Sequence, residues 1–60
     1  MTKVIVKQVN GCQEGIMVVE ENGSYYVGME FTEIGARPFA SSPAYKTIGG
    51  AERFARKWYR

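Results

Sequence analysis

A chain of 60 residues with a net charge of +2 has room for one domain, because so short a chain buries only about 60% of its unfolded surface on folding. Its single cysteine, Cys12, and its lack of histidine exclude an internal disulfide, a Cys/His metal site and nucleophilic catalysis that relies on a histidine base. Leu is also absent; Val, Ile, Met, Ala and the aromatic residues supply the apolar content, which favours strands over most of the length.

The first run, KVIVKQV at residues 3–9, is rich in β-branched side chains, stops at Asn10-Gly11 and reads as a strand. After the loop GCQEG comes IMVVEENGSYYVGMEF, with Asn22-Gly23 at its centre. Asn-Gly accepts the positive φ angles of a type I′ turn, so residues 16–21 and 24–31 are expected to form a hairpin. A two-residue loop sets Glu21 opposite Ser24, Glu20 opposite Tyr25, Val19 opposite Tyr26, Val18 opposite Val27, Met17 opposite Gly28 and Ile16 opposite Met29. One face then carries Ile16, Val18, Tyr25, Val27, Met29 and Phe31, the expected core; the other carries Met17, Val19, Tyr26 and Glu30. The segment 32–47 begins as a turn and leaves room for a short strand near Arg37 to Ser42, which Pro38 and Pro43 would keep at a sheet edge.

The last element is a helix. Thr47 suits its N-cap, although Gly49 and Gly50 weaken the first turn. At about 100° per residue, Ile48, Ala51, Phe54, Ala55, Trp58 and Tyr59 fall within an arc of about 140°, with the charged residues on the remainder. The apolar arc is expected to close the core over Val18, Val27 and Met29. The fold class expected is α+β: one domain over residues 1–60, an antiparallel sheet of three or four strands packed on one face by a single C-terminal helix.

No catalytic constellation is present in the pattern. Cys12 sits beside a glycine with no neighbouring cation to lower its pKa, and Glu20, Glu21 and Glu30 read as solvated charges around a hairpin. Gly49-Gly50 lacks the longer glycine pattern and the Lys-Ser/Thr of a phosphate loop. A non-enzyme with no cofactor and no small-molecule substrate is therefore expected. No apolar stretch approaches the roughly 20 residues of a membrane span, and nothing near the N-terminus has the form of a signal peptide. With the unpaired cysteine this points to the cytoplasm and away from membranes.

Two surfaces remain as candidates for binding. A single helix covers one face of a small sheet, so Met17, Val19 and Tyr26, joined by either Val4 and Val6 or Ile5 and Val9, are expected to form an uncovered apolar face. Such a face would bind a protein partner or a second copy of the chain. An unpaired edge strand offers a further route to dimerisation. The alternative is nucleic acid. Residues 46–60 hold five basic side chains against Glu52, while residues 1–45 hold three basic and five acidic ones. Arg53, Arg56, Lys57 and Arg60 would meet phosphates, though basic residues in a last helical turn also oppose the helix dipole. YYVGMEF differs from the platform strand of RNA-binding sheets in that the register turns Tyr25 and Phe31 inward.

The order of strands followed by YKTIGGAERFARKWYR resembles the AP2-like arm-binding domains at the N-terminus of tyrosine recombinases of mobile elements. Tyr45, Lys46, Thr47, Ala51 and Glu52 carry the likeness. It implies strands packed by one C-terminal helix. Those domains read DNA with the exposed sheet face through Arg, Lys and aromatic residues, whereas the sheet segment here is acidic, so no binding residues are carried over. In outline the chain also resembles small phage or prophage proteins of unknown role.

Overall fold

The computed structural model describes residues 2–60. Among these, four strands and one helix follow in the order β1 (Lys3–Val6), β2 (Met17–Glu21), β3 (Ser24–Phe31), β4 (Gly35–Pro38) and α1 (Ile48–Trp58). The strands form one antiparallel sheet in the order β1-β2-β3-β4, so every connection joins neighbours. The α+β class holds, with four strands.

The β2–β3 hairpin has the register that its turn dictates, from Met17 opposite Gly28 to Glu21 opposite Ser24. Asn22 and Gly23 take φ of 54° and 82°, the left-handed pair that a type I′ turn requires. Register and hydrophobic pattern agree because both are local.

The first strand is shorter than its β-branched run, ending at Val6, with a bulge between Val4 and Val6. Val4 pairs with Val19 and Val6 with Val18, so the bulge sends these two residues to opposite faces and the pair Val4 and Val6 does not join one face; nor do Ile5 and Val9 join Met17 and Val19, since Val9 belongs to the core under α1. Beyond the strand the chain turns around the Gln8 side chain. Its amide nitrogen donates to the carbonyls of Val9 (3.1 Å) and Gln13 (3.0 Å), and its oxygen accepts from Gly15 N–H at 2.8 Å. Val9 is thereby carried into the core, where it is fully buried.

The expected strand at 37–42 lies earlier, at Gly35–Pro38, and is an edge strand as the prolines require. Residues 39–45 then run on beside β3. Phe39 N–H donates to Val27 C=O (2.9 Å), Val27 N–H donates to Ser42 Oγ (2.9 Å), and Tyr25 and Tyr45 exchange two backbone bonds of 2.8 Å. This sequence of contacts delivers the chain to the helix start. There Thr47 caps α1, its hydroxyl accepting from Gly50 N–H at 3.1 Å. Thr47→Ala is expected to cost about 1 kcal/mol, read as a lowered urea midpoint; an unchanged midpoint would show that the cap contributes nothing.

The core lies between α1 and the β2–β3 face: Val9, Ile16, Val18, Val27, Ala51 and Ala55 are buried there, with Tyr25, Phe39, Tyr45, Phe54 and Tyr59 packed around them. Alanine at 51 and 55 lets the helix axis approach the sheet closely. Two expected core members are corrected. Phe31 is exposed, and Met29 is only half-buried and outside the core cluster. Both lie at the end of β3 that pairs with β4, where Met29 is opposite Arg37 and Phe31 is opposite Gly35.

Candidate interaction surfaces

The sheet face away from the helix is closed by the protein itself. Val19 is fully buried and Met17 is 6% exposed, although neither belongs to the cluster under α1. Val4 and Tyr26 flank Val19 by register. The rest of the cover is β4. A Cβ on Gly28 would point to the Met17/Val19 face, and it would collide with the Arg37 carbonyl oxygen and lie 2.8 Å from the Arg37 carbonyl carbon and Pro38 Cα. The backbone of β4 therefore crosses over that face instead of lying flat beside β3, and it comes directly against β2. Arg37 extends across the opening, its Nη1 donating to Thr2 Oγ1 at 3.4 Å, while the Thr2 hydroxyl donates to Glu21 Oε2 at 2.8 Å. The sheet is curled over its second face.

This corrects the expectation of an uncovered apolar surface at Met17, Val19 and Tyr26. The first two are interior residues, and Tyr26 is half-buried. Val19 offers no surface to a partner, and Met17 shows only a small edge at the floor of a groove lined by Lys7, Gln8, Glu14, Gly15, Met29 and Glu30.

The large exposed apolar side chains are Val4, Phe31, Ile34 and Trp58, and Trp58 stands beside basic residues in the second half of α1. Trp58 is 62% exposed. It falls on the apolar arc of the helix, but it is the last helical residue, and Tyr59 takes the place beneath the helix end. The Tyr59 ring packs on Phe39 with centroids 4.9 Å apart, and its N–H donates to Ala55 C=O at 2.7 Å. Trp58 is left as a ridge, 6.4 Å from Phe54 by ring centroids, with Lys57 Nζ 5.5 Å from the centre of its own ring. A shallow groove lined by Ser41, Phe54, Trp58 and Tyr59 lies on one side of this ridge. On the other side a second groove is shared by Tyr45, Arg53, Phe54, Lys57 and Trp58.

Next to the ridge, Arg53, Arg56, Lys57 and Arg60 line one continuous depression. All four cations named by the sequence are thus brought together, but they are not equivalent. Arg56 ties the helix to the β1–β2 loop, its Nε donating to Asn10 C=O at 2.9 Å and its Nη2 lying 3.9 Å from Glu52 Oε1. The same loop holds the helix end from the other side, Gln13 N–H donating to Tyr59 C=O (2.8 Å) and Gln13 Nε2 to the Arg60 backbone oxygen (2.9 Å). Among the described residues, Arg53, Lys57 and Arg60 have no acidic partner. Three cations on a firmly anchored helix end are therefore available to an anion.

Other chemistry is sparse. Among the described residues no group of three His, Cys, Asp or Glu side chains could hold a metal ion, and no helix is long and apolar enough to cross a membrane. Cys12 is half-buried against the core and unpaired. Comparison with known proteins gives no match to a family model, a curated protein or a solved structure.

Proposed function

We propose that the protein is a non-enzymatic interaction module that binds nucleic acid through the basic face of α1. The observation that carries this reading is the convergence of Arg53, Arg56, Lys57 and Arg60 on one surface, with Glu52 drawn to Arg56 and, among the described residues, no salt bridge to the other three. Positive charge so placed attracts a polyanion by releasing its condensed counterions, an entropic gain that needs no deep pocket. The reading that centres on a protein partner or homodimer at Met17, Val19 and Tyr26 loses its support, because Met17 and Val19 are buried in the folded chain and Tyr26 is half-buried.

The charge argument has a quantitative consequence. Contacts from three free cations give a plot of log binding constant against log salt with a slope of about −2 to −3. Replacing Arg53 and Lys57 by alanine should flatten that slope by about 1.5, while Arg56 keeps the fold stitched. Fluorescence anisotropy with labelled single-stranded and duplex oligonucleotides across a salt series measures both. Absence of binding to either probe at low salt would overturn the reading.

A further inference from the structure

Resting on that reading, we infer that the nucleic acid bound is single-stranded, and that an unpaired base stacks on Trp58 while its phosphates lie along Arg53, Lys57 and Arg60. The position of the indole is the reason. The indole is left 62% exposed between an apolar groove on one side and Arg53 and Lys57 on the other. Phosphates alone would need only the cations. An exposed ring whose own neighbour is the Lys57 ammonium at 5.5 Å is a π-surface placed where a base and its phosphate can be met together.

The surroundings of the ring fit the same ligand. The apolar groove of Phe54, Trp58 and Tyr59 is bordered by the hydroxyls of Ser41 and Tyr59, 3.3 Å apart, which provide hydrogen-bonding groups next to a stacking wall. On the opposite flank Arg53 and Lys57 share their groove with Phe54 and Trp58, so charge and ring line one surface instead of facing different ways. Arg53 and Lys57 are about one helical turn, roughly 6 Å, apart along α1 and Arg60 follows just beyond its end, all three lining one depression that an extended strand can track. A duplex presents the same phosphates but keeps its bases stacked on one another, and it has no free ring face to offer the indole. An acidic peptide would satisfy the cations and leave the indole unused.

Trp58 is the only tryptophan of the chain, so its fluorescence reports on the site without a label. The protein is titrated at low salt with oligothymidylate of about twenty nucleotides, with a duplex of equal length and with polyglutamate. Quenching of Trp58 by oligothymidylate and affinity for it about tenfold or more above that for duplex are expected; by the anisotropy of labelled oligothymidylate, a comparable loss in Trp58→Ala and partial recovery in Trp58→Phe are expected. Circular dichroism of both variants checks that the fold is kept. Equal affinity for single strand and duplex with unchanged fluorescence would overturn this inference while leaving the basic-face reading intact. Equal or tighter binding of polyglutamate, or no binding of either nucleic acid, would overturn both.

Discussion

Gly28→Ala is expected to remove about a third or more of the protein's folding stability. Gly28 lies mid-strand with an ordinary strand φ, so its conformation does not demand glycine; the space does. A methyl group there would overlap the carbonyl of Arg37 and press on Pro38 Cα, and these are backbone atoms that cannot yield by changing rotamer. β4 would have to lift off β3, uncovering Met17 and Val19 and breaking the link from Arg37 to Thr2. Overpacking of this kind costs about 3 kcal/mol or more, against a total of about 3–9 kcal/mol for a domain of this length. Urea unfolding followed by circular dichroism measures the loss. Gly23→Ala is the contrast, since nothing lies within 4 Å of its Cβ position and only its φ of 82° is strained, at a cost of about 1 kcal/mol. If Gly28→Ala unfolded at the parental midpoint, β4 could not be seated as described.

The elements that the sequence made legible are those set by neighbouring residues. Asn22-Gly23 dictates the hairpin and its register, Thr47 marks the helix start, and the spacing of Ala51 and Ala55 marks its buried side. The curl of the sheet was not legible, because it depends on the backbone of residues 37–38 reaching a glycine ten positions earlier, and no local propensity records that approach. One sign of it was present. Ile16-Met17-Val18-Val19 is a continuous apolar run, and a strand buried on both faces reads as a run where a half-exposed one alternates. Trp58 was misplaced for a different reason: angular position around a helix names a side but not whether the sheet still extends beneath it. In the last turn it is Tyr59, beyond the end of α1, that packs on Phe39. The cations were legible as a group, but the anchoring of Arg56 to Asn10 was not, since it joins residues 46 positions apart.

Val19→Asp tests whether the second face is interior or a surface, and it too is expected to destabilise the protein strongly. Val19 is fully buried between β1 and β3, with no buried polar or charged side chain among the described residues to receive a carboxylate. The substitution loses about 1.5–3 kcal/mol of apolar burial and adds the cost of an unpartnered polar group, together about 4 kcal/mol or more. That exceeds the lower end of the roughly 3–9 kcal/mol expected of a domain this small. Val4→Asp, paired with Val19 on the same face but 43% exposed, keeps its carboxylate in water and should cost no more than about 1 kcal/mol. A surface built to hold a partner would give the opposite order of results: Val19→Asp folded and monomeric, with its cost confined to association. Thermal unfolding and sedimentation of the two variants side by side separate these cases. A Val19→Asp variant as stable as the parent chain would require β4 to open freely and would return Met17, Val19 and Tyr26 to the set of surfaces able to bind another molecule.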